Sequence, residues 1–270
     1  MFAVDLYFTP QTPQSIDAEV CVNAIETYLI FLRKGGQIAG KYVLATTQTH
    51  FRATVYLPDP QALALAFHCD FARRSRDELQ ALGLALKVEY INEVSPQQAF
   101  GLNKLPALYL YTFLHDIHAP VCAGDSGRPI PLYHLPIETQ TREDILRWAK
   151  AYQCHDILQI DCGALEIAAY TQMADVHSEL SQNGLALCRT LEARTGLPTY
   201  YYLYRYWAFD IGENDLPCPG CGKPWFVGMS GEKSRGLAAH AFQCQACRLI
   251  SNPGDAANEA DYASIGVWKS

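Results

Sequence analysis

The sequence predicts an α+β protein in three segments, on three observations. Residues 1–96 show a β-α-β-β-α-β order of hydrophobic patterns, residues 97–212 mix short strands with long helices, and residues 213–270 hold two Cys-x-x-Cys pairs.

In the first segment, Val4, Leu6 and Phe8 alternate with Asp5, Tyr7 and Thr9, which marks a half-buried strand ending at Pro10. A helix follows, with Ser15 as N-cap and an apolar stripe running from Ile16 through Val20, Ala24, Ile25, Tyr28 and Leu29 to Leu32. Arg33-Lys34 and Gly35-Gly36 give it the charges and cap of a C-terminus. Tyr42, Leu44 and Thr46 alternate, then Phe51, Ala53, Val55 and Leu57, so Thr47 to His50 reads as a hairpin turn. A second helical region, Gln61 to Leu82 with Leu65, Phe71, Leu79 and Leu82, hands over to a strand at Lys87 to Ile91. That order is ferredoxin-like, the split βαβ arrangement.

In the second segment, Leu105 to Leu114 is apolar on both faces and reads as a central strand, followed by a loop and a strand at Ile130 to Leu135. Thr141 with Asp144 starts a helix carrying Ile145, Trp148, Ala149 and Tyr152. A further helical stretch, Leu165 to Arg194, has Gly184 as a candidate break and stops at Gly196-Leu197-Pro198. Thr199 to Trp207 is a strand by propensity, with Tyr200, Tyr202, Tyr204 and Tyr206 on one face and Tyr201, Leu203, Arg205 and Trp207 on the other. Tyrosines so placed either stack unpaired bases, with Arg205 beside them, or pack on a helix at the edge of a core.

The third segment carries the strongest motif. Cys218 and Cys221 form one knuckle, Cys244 and Cys247 the other, and 22 residues separate them, a spacing at which two pairs complete one tetrahedral thiolate shell. Gly222 supplies the positive φ that turns backbone N–H groups toward the sulfurs. Trp225 to Val227 reads as a short strand, Gly228 to Gly236 as a loop, and Ala241 to Gln243 as the lead into the second knuckle. Four thiolates leave Zn²⁺ no open position, so the reading is one structural zinc ion in a ribbon, a redox dithiol pair being the alternative.

Composition bounds the remainder. At 270 residues, 49% hydrophobic and 18% charged, the chain has ample material for a core, and its apolar runs are too short to cross a bilayer. Asp5 stands where a signal peptide needs apolar residues, so a soluble, cytoplasmic protein is expected. Cys21, Cys69, Cys122, Cys154, Cys162 and Cys188 show no pairing pattern and read as free thiols. The formal charge of −7 works against phosphate-driven binding, and zinc on four thiolates subtracts two more charges. Any nucleic-acid contact must be local, and in the ribbon Lys223, Lys233, Arg235 and Arg248 are opposed by Glu213, Asp215, Glu232 and Asp255.

Several catalytic-looking motifs lack their context. Gly124-Asp125-Ser126-Gly127 matches the nucleophile loop of trypsin-like proteases, but the His base and buried Asp have no counterpart, and the same residues form turns. His115 and His118 would face opposite sides of a strand, and neither they nor Cys154, His155 and Cys162 have the spacing of a metal site. His240, four residues before Cys244, reads as a bystander. No phosphate-binding glycine loop is present in the sequence.

On the four knuckle cysteines, the Tyr200 to Arg205 run and its overall length, the chain resembles an uncharacterised bacterial family of zinc-ribbon proteins with a suggested nucleic-acid-binding role. The resemblance carries a role across only for the four cysteines, and the ribbon together with the aromatic strand reads as a non-enzymatic zinc-ribbon protein that binds single-stranded or structured nucleic acid, or nucleic-acid machinery. Lys233 and Arg235 would make the loop contact, with Tyr202, Tyr204 and Arg205 as a second one. A protein-binding adapter that uses the ribbon as docking module is the alternative reading. A hydrolase built on Gly124 to Gly127 is a remote third.

Overall fold

The structure, a computed structural model, describes residues 1–11, 17–91, 101–205, 213–228, 231, 234–253, 263–264 and 267–268. The chain divides into two compact units: residues 1–100 with 117–119 and 131–143, and residues 101–116 with 120–130 and 144–270.

The first unit is built from β1 (Phe2–Pro10), α1 (Ala18–Lys34), β2 (Ala39–Thr46), β3 (Phe51–Leu57), α2 (Asp70–Ala81) and β4 (Leu84–Tyr90). Its antiparallel sheet has the order β2-β3-β1-β4, the split βαβ arrangement. Alternation does the work expected of it: Val4, Leu6 and Phe8 of β1 and Ala53, Val55 and Leu57 of β3 are fully buried with Ile25, Leu29 and Leu32 of α1. Ser15 lies outside the described residues, and the cap on α1 is Asp17, whose carboxylate accepts from Glu19 N at 2.9 Å.

The helix expected over Gln61 to Leu82 is split into a 3-10 turn at Leu65–Phe67 and α2. His68 divides them. Its extended backbone stops the turn while its ring is buried 2.9 Å from Tyr28 Oη. Leu65 and Phe71 are exposed as a result, and α2 buries Ala72, Ser75 and Leu79. Asp59, also buried, accepts from Tyr133 Oη at 2.7 Å and Gln61 N at 2.6 Å and lies 2.9 Å from His134 Nε2, which ties residues 133–134 to this unit.

The second unit holds β5 (Leu108–Leu110), β6 (Val121–Ala123), β7 (Thr199–Tyr202), β8 (Phe242–Cys244) and β9 (Leu249–Ser251) in one sheet, order β6-β5-β7-β9-β8. β5, β7 and β9 run parallel, and β6 and β8 close the edges antiparallel. Residues 144–160 of α3 (Thr139–Ile160) belong to this unit, as do α4 (Glu166–Ala174) and α5 (Glu179–Thr195). A short pairing of β10 (Ala263–Ser264) with β11 (Val267–Trp268) completes it.

Several expectations are corrected here. The central strand shrinks from Leu105–Leu114 to β5. Ile130 to Leu135 is not a strand: Pro129 and Pro131 have no N–H for a ladder, Ile130 N alone donates to Val121 O (2.7 Å), and Leu132–His134 is a 3-10 turn. Of the tyrosine strand expected over Thr199 to Trp207, Thr199–Tyr202 forms β7, and Tyr206 and Trp207 lie outside the described residues. Trp225 to Val227 is reduced to one bridge, Phe226 opposite Phe242, with Val227 N donating to Ala241 O (2.8 Å) and Gln243 N to Trp225 O (2.7 Å). The helix break falls at Asp175–Ser178, where Ser178 caps α5 by accepting from Ser181 N at 3.1 Å. Gly184 instead sits inside α5, because a Cβ there would overlap the Tyr201 ring of β7. Among the described residues no helix is long and apolar enough to cross a membrane.

Candidate metal centre

Each knuckle is a turn that points its sulfurs inward. In the first, Gly222 (φ +70) lets its N–H bond to Cys218 O at 2.8 Å, while Cys218 N donates to Lys223 O at 2.8 Å. In the second, Cys247 N donates to Cys244 Sγ at 3.4 Å, and Arg248 takes a left-handed φ of +54 to leave the turn. The four sulfurs lie within 4.8 Å of one another, with Cys221 and Cys244 Sγ 3.7 Å apart. A tetrahedron of Zn–S bonds near 2.3 Å has edges of about 3.8 Å, so the set fits a metal ion with little movement.

The thiols differ electrostatically. The N–H side of the Lys223 turn pulls Cys221 down to about 7, whereas burial pushes Cys218 up to about 11 and Cys247 upward as well. Four sulfurs this close cannot all ionise alone, and a cation among them removes the conflict.

The second knuckle is the connection between two sheet strands. β8 ends at Cys244 and β9 begins at Leu249, and β9 pairs with β7. Arg248 locks this link from three sides. Its Nε and Nη2 donate to the Glu192 carboxylate of α5 at 2.9 and 2.8 Å, its Nη1 donates to Gln245 O at 3.0 Å, and its guanidinium sits 5.6 Å over the Tyr200 ring.

The tyrosine ladder splits by face as the alternation requires. Tyr201 packs toward α3 and α5, its ring 5.9 Å from Trp148, while Tyr200 and Tyr202 join Tyr109 and Tyr111 of the β5 segment on the other face. Tyr202 is only 8% exposed, with its ring 4.9 Å from Tyr111 and 5.4 Å from His240. Tyr204 is half-buried and its hydroxyl accepts from Gln159 Nε2 at 2.9 Å. Arg205 is 4% exposed, its guanidinium 6.0 Å from the Phe242 ring. Arg235 is exposed, and Lys233 lies outside the described residues.

The Gly124 to Gly127 loop is a turn braced on the ribbon side of the unit. Gly127 N donates to Ala123 O (2.8 Å), Ser126 Oγ to Asp125 Oδ1 (2.8 Å), and Gly124 O accepts from Leu237 N (2.8 Å). His115 stands in a turn at φ +60. Among the described residues, the four cysteines are the one group of three or more candidate ligands that is brought together, so His115, His118, Cys154, His155 and Cys162 join no such group.

Sequence reasoning set His240 aside as a bystander to the cysteines, which it is, and passed over Tyr109, Tyr111 and Glu192. His240 is buried between the Tyr109 and Tyr202 rings and pairs with the Asn252 amide at 3.2 Å, and burial pushes its pKa down to about 4. The tyrosines at 109 and 111, spaced like 200 and 202, were the available signal for a shared face.

Three family models match the chain, each described as a domain of unknown function: DUF8589 over residues 1–92, DUF2310 over 103–204 and DUF8594 over 211–254. Two Haemophilus influenzae proteins, each described as uncharacterized, are 34% identical over 145 residues, or 53% of this chain. The match covers 69% of one and 54% of the other, so the chain spans about half the length of the second. Two solved structures resemble a part of the chain. One, from Deinococcus radiodurans, is provisionally described as an antibiotic biosynthesis monooxygenase (14% identity, 37% of this chain, 100% of that one, TM-score 0.26). The other is described as an antibiotic biosynthesis monooxygenase (19% identity, 35% of this chain, 100% of that one, TM-score 0.26).

Proposed function

We propose, for a chain that belongs to the same family as the uncharacterized Haemophilus influenzae protein of which it covers 69%, a non-enzymatic binding role organised by one structural zinc ion. The observation that carries this reading is the set of four sulfurs within 4.8 Å of one another. Cys218, Cys221, Cys244 and Cys247 would hold the ion, and a full thiolate shell leaves it no site for water or substrate. Its effect is mechanical: it closes the turn that delivers β9 to β7.

Nucleic acid is the ligand class that the ribbon brings first to test. Its contact would be Arg235, which is exposed, with Lys233 two positions before it in the sequence, since Tyr202 and Arg205 are buried and could stack a base only after the unit opens. The test is fluorescence anisotropy of the zinc-loaded protein against single- and double-stranded DNA and RNA, from about 50 to 200 mM salt. Saturable binding weakened by salt and by Arg235→Ala supports the reading. No binding to any of the four removes it.

The formal charge of −7, which opposes a polyanion, favours a second reading, an adapter for protein partners that uses the ribbon side of the second unit.

A further inference from the structure

A groove of about 650 Å³ runs between α5 and the second knuckle, a volume in the range of ligand pockets. One wall is a stripe of α5 at helical spacing, Gln182, Leu185, Arg189 and Ala193, and the other is the knuckle, Gln245 to Leu249. From Gln182 to Ala193 the stripe extends ~17 Å at 1.5 Å per residue. About five residues of extended polypeptide cover that length at 3.3 Å each.

The charges narrow the choice of occupant. Arg248 and Glu192 neutralise each other in their forked pair. Arg189 is exposed on the wall and has no ion-pair partner among the described residues. Cys247 brings the metal centre to the opposite wall, and four thiolates around one divalent ion carry two negative charges. A polyanion is therefore repelled along one wall, while a single carboxylate set at Arg189 is attracted. Ala193 on one wall and Ala246 on the other are exposed and offer apolar contact in between.

We infer that this groove binds an extended segment of a partner protein, about five residues long, that places one acidic side chain against Arg189. The inference rests on the adapter reading and names its partner's chemistry. It also makes metal and peptide affinity reciprocal, because the knuckle that closes on the metal forms one wall of the groove.

The test uses two fluorescein-labelled pentapeptide libraries, one with glutamate and one with lysine fixed at the centre, titrated into the zinc-loaded full chain. Saturable binding of the glutamate library is expected, at least about tenfold weaker in Arg189→Glu and lost in Ala246→Trp, whose ring would fill the groove from an exposed position. Both variants should keep the circular dichroism and metal content of the parent. Failure of both libraries to bind, preference for lysine, or binding indifferent to both substitutions would overturn the inference. Oligo-dT is titrated in parallel, and its displacement by Ala246→Trp would assign the groove to nucleic acid and overturn the inference. A protein that binds the glutamate library yet holds no metal would sink the zinc reading and leave the groove standing.

Discussion

Replacing Gly184 by alanine pits two effects of opposite sign against each other. In an exposed helix the change would stabilise by roughly 1 kcal/mol, because glycine is the poorer helix former. Gly184, however, faces β7: an added Cβ would overlap the Tyr201 ring and lie 2.9 Å from Trp148 Nε1. Neither ring has room to retreat, since Tyr201 is fully buried and Trp148 nearly so, and Trp148 Nε1 donates to Leu180 O at 3.2 Å. Overpacking of this kind costs about 1–3 kcal/mol, and a disturbed hydrogen bond adds about 1 kcal/mol. The packing terms win, and Gly184→Ala is expected to destabilise the second unit by about 2 kcal/mol. Urea unfolding followed by near-ultraviolet circular dichroism, with amide exchange of β7 as a local readout, should show a midpoint lower by about 1 M. Asn183→Ala, exposed on the same helix, serves as control and should be neutral or slightly stabilising. A Gly184→Ala midpoint equal to or above that of the parent would refute the close packing of α5 on β7.

Two further substitutions report on other parts of the interior. Tyr152 is buried with its hydroxyl unpaired among the described residues, so Tyr152→Phe should raise the thermal midpoint by the equivalent of about 1 kcal/mol, and a lower midpoint would mean that the hydroxyl has a partner. For Asp59, burial disfavours the carboxylate, but bonds from His134, Tyr133 and Gln61 N outweigh it and hold the pKa below the usual value. Its stabilising contribution is therefore complete above the ordinary carboxylate range and lost as pH falls through and below it. Asp59→Asn should flatten this acid-side loss in a pH series of unfolding midpoints, and an unchanged slope would count against the pairing.

How legible the protein is in its sequence depends on the range of the forces involved. The β1 alternation of Val4, Leu6 and Phe8 and the stripe of α1 announce a face to be buried, and the first unit follows from such local periodicities. The cysteine spacing is equally readable, because thiolate chemistry constrains it directly. What the sequence hides are pairings between distant segments. Nothing local reveals that β9, emerging from a knuckle, joins β7 in parallel register, or that the Gly124 carbonyl braces Leu237. Gly184 looked like a helix break because its real reason, the Tyr201 ring, lies 17 positions along the chain. The tyrosine face could be drawn from alternation alone, but its burial against His240 and Tyr111 is a tertiary fact.

The most direct test is metal content followed by amide exchange with and without a chelator. One zinc ion per chain is expected, and its removal, or Cys221→Ser, should speed exchange in the knuckles, β8, β9 and β7 while leaving β1 to β4 unchanged. A chain that binds no metal, or one whose β7 and β9 exchange equally slowly after the metal is stripped, would contradict a zinc ion that holds the ribbon into the sheet.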